Sequence, residues 1–237
     1  MSSTTIIGSG FLANSLKKHE NLFKRLNISV YVAGVSNSLC QSKDLFEKDK
    51  DRLAGFNKQM NKKNTILYFS TCSIGDPSRN NNKYIKHKVI IENFIRLNFE
   101  KYLIIRLPEV VGNTKNDNTL IKFFSNKIKN KQTFSLWTEA TRSIIDIDDV
   151  IKILIDLLSN KKLSNKIINI ANPLKCSAIE IVKTIEKLIS KEAQYDLINK
   201  GDLNWKIDIS QISKSIKDCK IDFNNDYLKN VLKKYFV

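Results

Sequence analysis

Apolar and polar positions alternate along the chain in a way that predicts short buried strands separated by amphipathic helices. The predicted strands cover residues 5–8, 28–33, 65–70, 102–106, 133–137 and 167–170. The predicted helices cover residues 11–26, 42–63, 81–98, 119–129, 148–159 and 178–188, and two further short helices follow, the last over 227–235. This alternation of strand and helix favours an α/β fold with a mostly parallel sheet.

The composition is that of a soluble globular protein, because 42% of its 237 residues are hydrophobic. No apolar run approaches the roughly 18–20 residues that a membrane span needs. The first apolar run is too short for a signal peptide and has no basic segment before it. The cytoplasm is therefore the expected compartment.

The formal net charge of +16 raises the alternative of a nucleic-acid-binding protein. The lysines are spread over every predicted helix and are not gathered into one patch or arm. We therefore expect no nucleic-acid partner, although a positive field would help to attract a phosphorylated substrate.

Cysteines and histidines do not indicate a metal site. The four cysteines are widely spaced, without a CxxC pair, so neither bound zinc nor a disulfide framework is predicted. The two histidines, His19 and His87, lie among lysines in predicted helices and are expected at the surface.

A glycine-rich turn, from Gly8 to Ala13, joins the first strand to the first helix with G-x-G-x-x-A spacing. In a dinucleotide-binding turn the first glycine permits the sharp bend, and the second lets a diphosphate approach the backbone. The alternative is a glycine turn without a ligand. No acid or arginine follows the second strand in the segment 33–38, so that segment favours neither NAD nor NADP.

Tyr84 and Lys88 form a Tyr-x-x-x-Lys pair, a spacing that chance alone produces in a lysine-rich chain. Here the pair shares one stripe of a predicted helix with Ile91 and Ile95, which points Lys88 towards the core. A buried ammonium needs polar partners, and cofactor ribose hydroxyls and the Tyr84 oxygen would supply them. The alternative is a lysine whose stem reaches solvent.

The pair also indicates a chemistry. Lys88 and a positively charged nicotinamide would lower the pKa of Tyr84, which could then exchange a proton with a substrate oxygen during hydride transfer. Thr71, at the end of the third strand, would donate a hydrogen bond to the same oxygen.

In this order the motifs resemble the extended short-chain dehydrogenase/reductase family, the NAD-dependent nucleotide-sugar epimerases and dehydratases. The segments that carry the resemblance are the glycine turn, Val32 to Ser36 (the "HLAA" strand), Phe69 to Ser73 (the "SS" strand), the pair Tyr84 and Lys88, Arg106 to Gly112 ("RPxNVYG"), Arg142 to Val150 ("RDFIHVDDV") and Ile168 to Ala171 ("yNIg").

The resemblance implies a Rossmann-like, doubly wound parallel sheet in a single domain over residues 1–237. About 109–147 and 171–237 would contribute a small C-terminal substrate lobe. If Val32 to Ser36 is the family's fourth strand, the second and third strands are absent. The fold is then shortened on the side that holds the adenosine.

The resemblance also implies site residues. The expected catalytic residues are Tyr84, Lys88 and Thr71, and no metal is expected. Substrate contacts are expected from Ser36, Cys72, Ser73 and Arg142, although Arg142 could equally be a surface loop arginine. Contacts with NAD or NADP are expected from Gly8, Ser9, Gly10, Phe11, Leu12, Ala33, Gly34, Ser70, Lys88, Leu107 and Pro108.

Two functions remain open at this point. The first is an NAD(P)-dependent reductase, epimerase or dehydratase that acts on a nucleotide-linked sugar, with a role in surface polysaccharide synthesis implied by the resemblance. The second is a non-catalytic binding or scaffold protein that has lost part of the cofactor site. A homodimer is expected through the helix of Tyr84, with Ile85, Val89 and Ile90 as its outer apolar surface.

Overall fold

A computed structural model describes residues 5–114, 116–117, 119–160, 163–202 and 204–236. Its strands are β1 (Ile6–Ile7), β2 (Ile28–Tyr31), β3 (Thr65–Thr71), β4 (Tyr102–Leu107), β5 (Glu109–Val111), β6 (Phe134–Asp146), β7 (Lys166–Asn169), β8 (Lys175–Ser177) and β9 (Tyr195–Asp202). Its helices are α1 (Phe11–Leu16), α2 (Glu20–Arg25), α3 (Lys43–Gln59), α4 (Lys83–Asn98), α5 (Leu120–Lys129), α6 (Ile147–Asn160), α7 (Ala178–Ile189), α8 (Ser213–Asp218) and α9 (Tyr227–Phe236).

The first sheet is parallel throughout and has the strand order β1-β2-β3-β4-β7. Helices cover both faces, so the predicted α/β fold with a doubly wound parallel sheet is confirmed. β1 pairs only with β2 and forms the edge of the sheet within the described residues. A full dinucleotide-binding sheet continues past its first strand with two more, so this fold is shortened on that side.

The helices divide between the two faces of this sheet. Helices α1, α2 and α6 pack with Leu67, Phe69 and Ile105 on one face. Helices α3 and α4 pack with Ile66, Tyr68 and Ile104 on the other. Successive strand residues point to opposite faces, which explains why neighbouring positions of β3 belong to different clusters.

The split between faces fixes the relative hand of the connections. β1, β2 and β3 follow one another across the sheet in one direction. The first connection passes over the α1 face, and the second passes over the α3 face. Two connections that run in the same direction across a parallel sheet but over opposite faces have opposite hands. One of these two therefore departs from the strong preference for right-handed crossovers.

A second sheet, built from β5, β6, β8 and β9, forms the smaller lobe. Its core holds residues of α5, α7 and α9, such as Phe124, Ile181 and Leu232. β6 is thirteen residues long, whereas the sequence predicted only residues 133–137. The second half of β6 is extended because it pairs with β5 and β8, and the first half pairs with β9. These partners are distant in sequence.

The helix ends follow their capping residues. Ser42 is the N-cap of α3, because its side chain accepts a hydrogen bond from the Leu45 amide at 3.3 Å. The predicted helix over 11–26 is interrupted by a 3₁₀ turn at Lys17–His19. No described helix is long and apolar enough to span a membrane.

A substitution at Gly201 would test the pairing of β9 with β6. Its φ is +128°, and a Cβ would collide with the backbone of Glu139 and Ala140 at a register shift. We expect Gly201→Ala to lower the free energy of unfolding by about 1–3 kcal/mol. In contrast, nothing lies within 4 Å of a Cβ at Gly55 in α3, so Gly55→Ala should raise it by up to about 1 kcal/mol. Urea titrations of both variants measure the difference, and equal effects would contradict this account.

Candidate active site

A cleft of about 1260 Å³ opens at the carboxyl ends of β1, β2 and β3, where parallel folds bind ligands. The glycine turn, the ends of β2 and β3, helix α4 and part of the second lobe line it. Among the expected site residues, those that line it are Gly8, Ser9, Gly10, Phe11, Leu12, Ala33, Gly34, Ser36, Ser70, Thr71, Ser73, Tyr84, Lys88, Leu107, Pro108 and Arg142. Cys72 is not among the lining residues.

The glycine turn is tight at its first glycine and open at its second. Gly8 has φ +135°, and a Cβ there would lie 2.6 Å from the carbonyl oxygen of Val32. Any side chain at Gly8 would therefore push β1 away from β2. A Cβ at Gly10 would meet nothing within 4 Å, so the backbone there is open to a ligand.

Asp49 of α3 forms a hydrogen bond with the loop that follows β2. The Asp49 carboxylate accepts hydrogen bonds from the Val35 amide at 3.1 Å and meets His87 Nε2 at 2.8 Å. Burial opposes ionisation of Asp49, but the bonds from His87 and Val35 and the charge of Lys88 lower its pKa overall. The expectation of an exposed His87 is wrong, because His87 is buried between Asp49 and the ring of Phe46.

Lys88 points inward and is only 5% exposed. Its ammonium donates hydrogen bonds to the Tyr68 hydroxyl at 2.9 Å and to the Phe69 carbonyl at 3.5 Å. Burial lowers the pKa of Lys88 to about 8, against the opposing charges of Asp49 and Glu92. Tyr68 is a site residue that the Tyr-x-x-x-Lys spacing did not reveal. The period-two pattern of β3 could have placed it on the α4 face.

Tyr84 lies nearby but is held as a neutral phenol. Burial raises its pKa, and the main charge that lowers it is that of Arg79. The expected lowering by Lys88 is not seen, because the Lys88 ammonium bonds to Tyr68 and lies 5.6 Å from the centre of the Tyr84 ring. In this state Tyr84 can donate a proton.

At the end of β3, Thr71 lines the cleft, whereas the neighbouring Cys72 does not. Thr71 Oγ1 accepts a hydrogen bond from the Ser73 amide at 3.1 Å, which leaves the hydroxyl proton of Thr71 available to a ligand. The Cys72 thiol turns into the protein and donates to the Arg106 carbonyl at 3.3 Å, and burial raises its pKa to about 12. The geometry therefore gives Cys72 no contact with the cleft.

Arginines shape the end of the cleft near the second lobe. Arg142 is half-buried, and both burial and the charge of Arg79 lower its pKa. Arg79, from the 3₁₀ turn Pro77–Arg79, donates to Ser73 Oγ at 3.1 Å. Glu109 is the one carboxylate among the described lining residues, and burial raises its pKa. These charges leave this end of the cleft positive.

Several lining residues were not expected from the sequence: Tyr31, Arg52, Tyr68, Arg79, Glu109 and Trp205. Arg79 and Trp205 come from loops without a recognisable motif, so no sequence signal could have found them. Arg106, which begins one of the expected motifs, does not line the cleft. Instead it forms a bidentate pair with Glu92 of α4, at 2.9 and 2.6 Å, that ties β4 to that helix.

The sequence model described as "NAD dependent epimerase/dehydratase family" matches residues 56–171. No curated protein matches the chain.

Solved structures share the fold at low sequence identity. UDP-glucuronic acid 4-epimerase from Bacillus cereus, in complex with UDP-glucuronic acid and NAD, is 17% identical with a TM-score of 0.68, over 97% of this chain and 87% of that one. RMD from Pseudomonas aeruginosa, complexed with NADPH, is 13% identical with a TM-score of 0.67, over 87% and 79%. dTDP-glucose 4,6-dehydratase from Bacillus anthracis, in complex with NAD, is 13% identical with a TM-score of 0.67, over 95% and 76%.

The buried ammonium of Lys88 predicts a pH dependence of stability. Its pKa is about 8 in the folded protein and ordinarily 10.5. Between these values the unfolded chain binds a proton that the folded protein has released, so the free energy of unfolding should rise with pH in this window. Urea titrations from pH 7.5 to about 9, below the range in which the raised pKa values of the Cys72 and Cys176 thiols oppose the effect, should show this rise in the wild type and not in Lys88→Met. Lys86→Met, two residues before Lys88 and exposed, should behave like the wild type. Parallel curves for all three proteins would refute the assignment.

Proposed function

We propose that the chain, whose residues 56–171 match the NAD dependent epimerase/dehydratase family, is a member of that family and acts as an NAD(P)-dependent reductase, epimerase or dehydratase on a nucleotide-linked sugar. The observation that carries the proposal is the meeting of Tyr84, Lys88 and Thr71 in one cleft with the glycine turn. We further propose that the enzyme acts in the cytoplasm, in surface polysaccharide synthesis.

The residues present fit a dinucleotide. A side chain at Gly10 would occupy space that the cleft leaves open, so the turn has room for a diphosphate against the backbone. Lys88 lies across the same cleft, where ribose hydroxyls could accept hydrogen bonds from its ammonium. When bound, the nicotinamide would supply the site that accepts or donates hydride.

The chain's own residues would handle the proton. Tyr84, neutral because it is buried, would donate its phenolic proton to a ketone oxygen as that carbon is reduced. In the reverse direction the phenolate form of Tyr84 would take the proton from a hydroxyl as hydride leaves the same carbon, and the charge of Arg79, which lowers the pKa of Tyr84, would stabilise that phenolate. Thr71 would donate a hydrogen bond to the same oxygen and fix its position.

The substrate would occupy the end of the cleft near the second lobe, to which residues 109–147 and 171–237 contribute. Arg142 and Arg79 carry charges close enough to affect one another, and neither forms an ion pair within the described residues. A phosphorylated substrate would relieve this repulsion. Ser36 and Ser73 line the same cleft and would add hydrogen bonds.

A specific observation favours a second function, that of a non-catalytic binding protein. The sheet ends at β1 in the described residues, so the strands that usually hold the adenosine are missing. A protein with this defect could keep the cleft and lose turnover. The two functions differ in whether they need the Tyr84 hydroxyl.

Tyr84→Phe separates these functions. We expect the variant to bind NAD or NADP like the wild type, by calorimetry or tryptophan fluorescence, because the hydroxyl is lost and the packing is kept. Its turnover of nucleotide sugars should fall by about 10²- to 10⁴-fold. Tyr102→Phe, in β4 and outside the cleft, is the matched control. Absence of binding by any NAD or NADP form at millimolar concentration would refute the enzyme, and full cellular function of Tyr84→Phe would favour the second function.

We also propose a homodimer through α4. The expected surface needs one correction, because Ile85 is buried. Val89 and Ile90 are 37% and 53% exposed and remain available to a second copy. Light scattering should give twice the chain mass for the wild type and a lower mass for Ile90→Lys, whereas a monomeric wild type would refute the dimer.

A further inference from the structure

His87 is buried directly beside the residue that carries the ammonium of the site. It precedes Lys88 on α4, is 5% exposed, and stacks its ring on that of Phe46 of α3, with 4.5 Å between ring centres. Its Nε2 lies 2.8 Å from Oδ2 of Asp49. His87 does not line the cleft, so any effect on a ligand there has to pass through a neighbour.

The contact with Asp49 fixes which nitrogen of His87 carries a proton. Burial opposes the charge of Asp49, but its hydrogen bonds and the charge of Lys88 keep its pKa below the ordinary value. An ionised carboxylate can only accept hydrogen bonds, so His87 donates from Nε2. A neutral imidazole that donates in this way stabilises the carboxylate without cancelling its charge.

The Asp49 carboxylate has one bonded oxygen and one bare oxygen. Oδ2 accepts from both His87 and the Val35 amide, whereas Oδ1 is buried and has no hydrogen-bond partner among the described residues. A Cβ at Gly34 would lie 3.3 Å from Oδ1, so the loop after β2 packs closely against it. A buried carboxylate with a bare oxygen is unfavourable, so a nearby positive charge has to contribute to its stability.

Lys88 supplies that positive charge. The charges of Asp49 and Lys88 each favour the ionised form of the other. Glu92 is the other carboxylate that acts on Lys88, but it already forms the bidentate pair with Arg106 of β4. Asp49 is therefore the carboxylate near Lys88 whose charge no guanidinium balances.

The other titratable groups around the ammonium add no negative charge near neutral pH. Burial raises the pKa of Tyr68 of β3, Tyr84 of α4 and Tyr31 of β2, so all three are neutral phenols. Arg52 of α3 donates to the Ala33 carbonyl. The protonation of Lys88 thus depends on the carboxylate that His87 holds.

We propose that His87 is a positioning residue, which holds the Asp49 carboxylate in place and thereby keeps the ammonium of Lys88 charged. The consequence for the reaction rests on the proposed function, since ribose hydroxyls of a dinucleotide would accept hydrogen bonds from that ammonium. Loss of His87 would weaken a cleft that it does not line, because Lys88 would lose its proton at lower pH.

The test follows the titration of Lys88 directly, in the protein without ligand. Lysine labelled with ¹³C at Cε reports the protonation of Nζ by NMR, and Lys88→Met identifies the signal. His87→Phe keeps a ring beside Phe46 and removes the N–H group, whereas His87→Gln restores a donor. Asp49→Asn removes the charge of the carboxylate. Thermal melts show which variants are folded.

The wild type should show a pKa of about 8 for Lys88. Asp49→Asn should lower it by about one pH unit, and His87→Phe should shift it in the same direction, with partial recovery in His87→Gln. In the Asp49→Asn background, His87→Phe should have no further effect, because His87 acts through that carboxylate. His19→Phe is the matched control and should titrate like the wild type, because His19 lies in the 3₁₀ turn outside the cleft.

Calorimetry of NAD and NADP binding from pH 7 to about 9.5 connects the titration to the cleft. The affinity should fall at lower pH in His87→Phe than in the wild type. An unchanged pKa of Lys88 in folded His87→Phe or in folded Asp49→Asn would overturn the role of His87, and so would a further shift by His87→Phe in the Asp49→Asn background. If the pKa moves as expected but no dinucleotide binds at any pH, the role of His87 stands and the proposed enzyme fails.

Discussion

The burial of one ammonium group, that of Lys88, is the constraint on which the site depends. A charge at this depth is unfavourable unless polar partners surround it. Tyr68 and the Phe69 carbonyl bond to it directly, and the carboxylates of Asp49 and Glu92 oppose the loss of its proton. Lys88 therefore requires β3 and α4 to lie in one relative position, because both of its direct partners belong to β3.

The surrounding charges link that position to the rest of the fold. Glu92, one turn after Lys88 on α4, holds Arg106 of β4 in a bidentate pair. Asp49 of α3 contacts His87 of α4 and the loop after β2. These polar contacts thus join β3, β4 and the loop after β2 to helices α3 and α4 beneath the cleft. This explains why the residues that border the ligand space come from elements far apart in sequence.

The loss of strands at the edge of the sheet also explains an unusual connection. In a full dinucleotide-binding fold the second strand lies on the far side of the first, so a right-handed crossover carries its helix over one particular face. Here α1 and α2 share a face with α6, opposite α3 and α4, yet β1 leads directly to β2. The helices thus lie on the same faces as in the full fold, although the strands on the far side of β1 are absent from the described residues.

Much of the fold was predictable because its signals are local. The α/β alternation, the parallel sheet, the N-cap at Ser42 and the inward stripe of Tyr84 and Lys88 follow from periodicity and capping. The expected residues Gly8, Thr71 and Arg142 do line one cleft. The extent of β6 was not predictable, since its second half is a strand only through partners distant in the chain.

The sequence by itself determined which elements form and which chemical groups the chain carries. Only the tertiary structure decided how those groups are paired. His87 is buried because Asp49 comes from another helix to meet it, and Cys72 turns to a carbonyl of β4 and away from the cleft. Lys88 bonds to Tyr68, and burial keeps the proton on Tyr84 by raising its pKa. The physical reason is that the pKa of a buried group depends on desolvation and on neighbours brought together by packing, which residue spacing along a chain does not encode.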